Sequence, residues 1–173
     1  VGTRRGIARW PGTGSENMTM NLQDSHIRGI TTDANDSLWV ATNGGGAARL
    51  GQTGWRIFDT ATTGGQLTTS LLNTIQADPA AGVWIGTLTD GLFRYTGTAW
   101  TRYDTTGSGI TDNNVTALLP VSAGGMWIGT RTGGLTRLSG AVWTNGSGFD
   151  SGPDEEGLVA VAATPSEGRW ACS

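Results

Sequence analysis

Lysine is absent from this 173-residue chain, and all 11 of its basic residues are arginine. We read this as a genomic bias more than as a recognition device. With a formal net charge of −3 and no basic cluster, the chain makes no electrostatic case for nucleic acid. A single cysteine, Cys172, excludes an internal disulfide framework and a cysteine-based metal site. His26 is the only histidine, and no second basic or nucleophilic partner is fixed near it by sequence. Serine, histidine and aspartate are all present, but without a nucleophile-elbow motif a catalytic triad has nothing behind it. No apolar run approaches membrane-spanning length. The chain starts at Val1 with no signal-like segment, so targeting information is absent rather than negative.

Tryptophan and glycine are what the chain has in excess. Trp39, Trp84, Trp127 and Trp170 recur at intervals of 45, 43 and 43 residues. Trp55, Trp100 and Trp143 follow the first three at a constant 16 residues. One period therefore governs seven of the eight tryptophans, which marks a repeat array. The 29 glycines follow no collagen-like triplet and point to many turns.

The clearest unit runs from Asn114 to Thr144. It holds four short stretches rich in β-branched, aromatic and alternating residues, each bounded by glycine or small polar residues. No helical period persists over a useful length. A four-stranded unit of this length is what a β-propeller blade requires, typically ~40–50 residues. After each first Trp come Val40-Ala41-Thr42, Ile85-Gly86-Thr87, Ile128-Gly129-Thr130 and Ala171-Cys172-Ser173, a pattern of close strand packing. Gly46, Gly91 and Gly134 open the third strand, and Arg49, Arg94 and Arg137 lie ten residues after each first Trp. The opening segment Val1 to Arg9 fits the same template one residue short. The expected blades are 1–23 (second half of a first blade), 24–66, 67–109, 110–152 and 153–173 (first half of a last blade), within one propeller fragment of 1–173.

Asn114-Val115, Met126-Trp127-Ile128-Gly129-Thr130 and Gly134-Leu135-Thr136-Arg137 resemble the two-component regulator propeller repeat. Asp78 through Thr87 matches nearly as well, and Asp33 through Thr42 more loosely. The resemblance implies an all-β fold of four-stranded antiparallel blades. It further implies the ligand-binding sensor region of a bacterial membrane histidine kinase, placed in the periplasm or outside the cell. Seven blades per ring would need roughly 300 residues, and this chain supplies about four. A closed four-bladed ring is one option. It would duplicate part of a strand, because Val1-Gly2-Thr3 and Ala171-Cys172-Ser173 share template positions. An open arc of a larger ring is favoured, with both chain ends read as cuts through a longer protein. Its partners would then be the remainder of its own propeller and, in the full-length protein, a second copy.

Ligand sites on propellers use the loops that converge on one face, or the central channel. The loops between second and third strands are Arg4-Arg5, Asn43-Gly44-Gly45, Leu88-Thr89-Asp90 and Arg131-Thr132-Gly133. They differ from blade to blade as a binding rim would. The connections between blades add Gln66, Ser108, Asp112, Asn113 and Asn114. We take Arg4, Arg5, Asn43, Asp90, Arg131, Asp112 and Asn113 as candidate contacts for an unknown small molecule or glycan. Solvation alone also accounts for each of them. Asp112 could cap the turn, and Asn114 could bond to backbone at the start of the strand. Asp154-Glu155-Glu156 lacks the ligand spacing of a calcium loop and reads as a solvated acidic loop. No cofactor and no metal site is expected.

The repeated arginines and the in-phase tryptophans serve every blade identically, which favours scaffold over binding. Trp10 follows Arg9 where other blades have Leu50, Tyr95 and Leu138, and reads as a larger version of that packing residue. His26 replaces Asn114 of the best unit and most simply makes a turn hydrogen bond. The leading function is ligand sensing without catalysis in this fragment. A secreted interaction scaffold is a second reading. A propeller lyase is a third, against which the single histidine counts.

Overall fold

The computed structural model describes residues 2–14, 16–18, 22–79, 82–121 and 125–145, together with the strand backbone of 160–163 and 169–172. Every regular element among them is a strand. β1 (Gly2–Thr3), β2 (Gly6–Arg9) and β3 (Glu16–Asn17) form a three-stranded sheet. Three four-stranded sheets follow. They comprise β4 (Ile27–Thr32), β5 (Leu38–Thr42), β6 (Ala47–Gly51) and β7 (Gly54–Phe58); then β8 (Leu72–Ala77), β9 (Val83–Thr87), β10 (Leu92–Tyr95) and β11 (Trp100–Tyr103); then β12 (Val115–Val121), β13 (Gly125–Thr130), β14 (Gly134–Ser139) and β15 (Val142–Asn145). β16 (Ala160–Ala163) pairs with β17 (Arg169–Cys172). Each sheet is an antiparallel meander in chain order. The first strands β4, β8, β12 and β16 lie against one another from sheet to sheet, which is the blade arrangement of a propeller. No pairing joins the first sheet to the last among the described residues, so the arc is open.

Register explains the sequence spacing. Trp39 sits directly opposite Arg49, Trp84 opposite Arg94 and Trp127 opposite Arg137. Ten residues is therefore the distance out along the second strand and back along the third. The second tryptophans pair in the same way, Trp55 with Leu50, Trp100 with Tyr95 and Trp143 with Leu138. Glycine at the head of the third strand is a backbone requirement. Gly91 holds φ at 86°, and a Cβ there would also run into the Tyr103 carbonyl oxygen.

The core lies between sheets. Trp39 is 1% exposed; its ring stacks on Phe58 at 5.0 Å and meets Tyr95 of the next sheet edge-on at 5.9 Å. Trp100 closes this group, 4.6 Å from Tyr95. The following interface repeats the scheme, with Trp84 stacked on Tyr103 at 5.7 Å and Trp143 at 5.4 Å from Tyr103. Such aromatic pairs contribute about 0.5–1.5 kcal/mol each beyond the area they bury. Trp39, Trp84 and Trp127 are thus buried, while Trp55, Trp100 and Trp143 are half-buried on the outer strands. Trp170 lies in β17, and its side chain falls outside the described residues, as do Val1, Ser173 and Asp154-Glu155-Glu156.

Trp10 departs from expectation. It does not pack like its counterparts but stands 71% exposed. Leu50 and Tyr95 are inside β6 and β10, held across from a tryptophan, whereas β2 ends at Arg9 and leaves Trp10 beyond the pairing.

The repeated arginines have a local task, as their equivalence suggests. Arg94 Nε lies 2.6 Å from Asp78 Oδ2, and its guanidinium sits 5.2 Å over the Trp84 ring. Arg49 lies 3.4 Å from Asp33 and over Trp39. In the next sheet Val121 occupies the position of those carboxylates, opposite Gly125. Arg137 still covers Trp127 at 5.7 Å, but its Nε has no hydrogen-bond partner among the described residues.

Candidate functional site

Each loop between second and third strands rests on one threonine and one glycine. The Thr42 hydroxyl donates to the Gly46 carbonyl at 2.8 Å, and Thr87 does the same to Gly91 at 2.8 Å. Thr130 to Gly134 and Thr3 to Gly6 follow at 3.2 Å. The same oxygen accepts the loop amide next to the glycine, from Gly45, Asp90, Gly133 and Arg5 respectively. Thr42, Thr87 and Thr130 are buried, so their hydroxyls have no water to replace these bonds. Thr87→Val keeps the shape but orphans the Asp90 amide and leaves the Gly91 carbonyl only the Thr87 amide. We expect a loss of about 1–3 kcal/mol, measurable by chemical denaturation.

The connections between blades meet these loops on the same face. Amides of Asn43, Leu88 and Arg131 donate to the carbonyls of His26, Leu71 and Asn114, three equivalent positions. Each of those residues closes a turn with a side chain two positions earlier: His26 N–H donates to Asp24 Oδ1, Leu71 N–H to Thr69 Oγ1 and Asn114 N–H to Asp112 Oδ1. His26 takes part in this turn through its backbone amide.

The candidate residues divide into anchored and open. Asp112 also accepts the Thr132 amide and hydroxyl, both at 2.8 Å. Burial opposes its ionisation, yet the Asn114 amide, the Thr132 donors and the Arg131 charge outweigh it and hold the carboxyl below the usual range. Asp90 accepts the Thr68 and Thr89 hydroxyls; these donors and Arg102 likewise overcome burial and lower its pKa. Asn113 ties the connection together, accepting the Thr105 amide on its side chain and the Gly91 amide on its carbonyl. Arg4, Arg5 and Arg131 are exposed, and Asn43 is half-buried. These four present side-chain donors at the rim.

The structure adds residues that the sequence reading missed. Each complete inner strand carries a bulge at the loop end, at Arg28, Asn73 and Thr116. Bulges re-aim side chains and are frequent beside functional sites. Arg28 donates to Asn73 Oδ1 at 3.1 Å, and Asn73 Nδ2 donates to Asn114 Oδ1 at 2.9 Å. Asn114 therefore bonds a neighbouring blade's side chain, where backbone bonding was expected. Arg28, Asn73 and Asn114 form a polar chain across three blades. The signal available was a polar residue second in each inner strand, at a position whose identity changes from blade to blade.

The family described as two component regulator propeller matches residues 21–44 and 109–132. No match was found among curated proteins. Among solved structures, an extracellular domain assigned to a hybrid two component system of B. thetaiotaomicron aligns over 98% of this chain and 23% of its own, with 21% identity and a TM-score of 0.76. A second extracellular domain from that organism, assigned to a one component system, gives 18% identity and 0.74 over 98% of this chain and 26% of its own. Virginiamycin B lyase from Staphylococcus aureus gives 17% identity and 0.72 over 97% of this chain and 56% of its own. The chain thus spans about a quarter of the two extracellular-domain structures and little more than half of the lyase. At these identities the likeness is one of fold. The two matched segments are repeats of the two-component regulator propeller family, and the chain that carries them is an arc of a β-propeller.

Proposed function

We propose that this arc belongs to the extracytoplasmic, ligand-sensing propeller of a two-component signal-transduction protein. Its contact surface is the loop face, comprising Arg4, Arg5, Asn43, Arg131 and the bulge residue Arg28. The pair of matched repeats carries this reading, and the extracellular-domain structures of like fold support it. The loops fit the task because the threonine–glycine clasps fix their bases while their side chains differ. Asp90, Asp112 and Asn113 position the rim more than they offer free bonds, since their acceptors are already engaged. A ligand meeting this surface would bring acceptors, because guanidinium groups form charge-assisted, two-pronged bonds with carboxylate or phosphate.

A lyase reading has the fold of virginiamycin B lyase in its favour. Among the described residues no three His, Cys, Asp or Glu side chains gather as metal ligands. The sensor reading is preferred.

Arg131→Ala and Asn43→Ala should leave the unfolding midpoint within about 0.5 kcal/mol of the parent, as surface substitutions do. In the full-length protein, a ligand found by titrating a metabolite and glycan panel should lose at least tenfold in affinity for the double variant. Unchanged affinity removes the loop face from the proposal. Cleavage of the propeller by protease in intact spheroplasts tests its location, and protection until lysis would overturn it.

A further inference from the structure

We propose that a groove on the outer flank of the interface between the second and third sheets binds a small ring compound that carries a carboxylate and hydroxyl groups. The groove measures about 410 Å³, within the ~300–1,000 Å³ of ordinary small-molecule sites. It lies between β7 and the β10–β11 hairpin, and the connection from Asp59 to Gln66 closes its third side. Both of these sheets hold all four strands.

Its origin lies in how the connection passes the second tryptophan. One sheet later, six residues (104–109) link Tyr103 to the buried Ile110, and Gly109 lies so close to Trp143 that a Cβ would collide with its side chain. Here eight residues (59–66) link Phe58 to the buried Leu67, and Gln66 stands in the place of that glycine. A residue with a side chain cannot approach so closely. The longer connection stands off, and Thr62, Gln66 and Trp100 line the space between.

The polar positions of this groove are the ones that break the repeat. Arg56, Gln66 and Thr98 correspond to Thr101, Gly109 and Ala141 in the following unit, whereas Phe58 and Trp100 keep aromatic counterparts in Tyr103 and Trp143. All three polar side chains are exposed, and none is engaged in a hydrogen bond among the described residues. Each selects part of a ligand. The Arg56 guanidinium sits 4.8 Å over the Phe58 ring and offers paired donors to a carboxylate. Trp100, half-buried and 4.6 Å from Tyr95, presents a fixed flat surface to a ring. Gln66 and Thr98 can both donate and accept, which matches hydroxyls at the ring edge. A bare hydrocarbon would strip water from these groups without replacing its bonds. A sugar acid and a hydroxylated aromatic acid share the required chemistry. The groove shares no residue with the loop face and does not depend on that reading.

Glucuronate and 4-hydroxybenzoate are suitable probes, with glucose and 4-hydroxybenzamide as their uncharged counterparts. Titration calorimetry and saturation-transfer NMR on the full-length protein should show binding of at least one acid, with its counterpart at least tenfold weaker. The acid bound more tightly identifies the source of the ring. Arg56→Gln and Gln66→Ala should each weaken that binding at least tenfold while leaving the unfolding midpoint in place, since both side chains are exposed. Arg131→Ala should leave it unchanged, which separates this groove from the loop face. Failure of both acids to bind, equal binding of the uncharged counterparts, full affinity in folded Arg56→Gln, or loss of affinity in Arg131→Ala would each overturn the proposal.

Discussion

Trp39→Ala is expected to destabilise the protein by about 3–5 kcal/mol, the usual cost of deleting a large buried ring. The ring is 1% exposed and touches two sheets at once, stacking on Phe58 and meeting Tyr95. Its removal opens a void walled by residues of both sheets. The indole N–H also donates to Asp33 Oδ2 at 2.9 Å, so the variant leaves a buried carboxylate one donor short. Chemical denaturation followed by far-UV circular dichroism should register the loss. A change under 1 kcal/mol would show that the sheets do not depend on this contact.

The second large effect concerns Asp33 itself. Its side chain is 5% exposed and accepts the Asn35 amide at 2.9 Å, the Ser37 amide at 3.0 Å and the Trp39 indole, while Arg49 lies 3.4 Å away. Asp33→Ala removes three hydrogen bonds and orphans the Trp39 N–H, for an expected loss of about 3 kcal/mol. The loss should also depend on pH. Burial works against the charge, but the indole, the two amides and Arg49 together hold the Asp33 carboxyl below its ordinary value. A carboxyl depressed in the folded state stabilises fully above its unfolded value of about 3.9, and the benefit fades as pH falls toward the folded value. The gap between parent and Asp33→Ala should therefore be widest near neutrality and narrow below about pH 4. A gap that stays constant down to pH 2 would mean that the charge contributes nothing.

The scaffold was legible because register is arithmetic. Residues facing each other across a hairpin keep a fixed offset, so Trp39 and Arg49 announce their pairing through spacing alone. The strand order and the glycine at the head of the third strand follow from the same repetition. What escaped is contact that crosses from one unit to the next. The chain from Arg28 through Asn73 to Asn114 joins positions 45 and 41 residues apart, and a polar residue second in an inner strand does not by itself reveal which neighbour it touches. Trp10 escaped for the opposite reason. Its position in the repeat implied packing, but packing depends on where its own strand stops. Asn113 looked like an open polar side chain and Asp112 like either a turn cap or a contact; only their neighbours reveal that both have their acceptors occupied.

The threonine–glycine clasp has a consequence for how such a chain can diversify. It closes the hairpin below the loop, so whatever lies above it is insulated from the strands. The first sheet shows this directly: its loop is one residue shorter, yet Thr3 still pairs with Gly6 and the strands keep step. Arg-Arg, Asn-Gly-Gly, Leu-Thr-Asp and Arg-Thr-Gly are thus different loops on a common socket, each with its own ties to the neighbouring connection. New recognition chemistry can be installed in one blade without renegotiating the fold of any other.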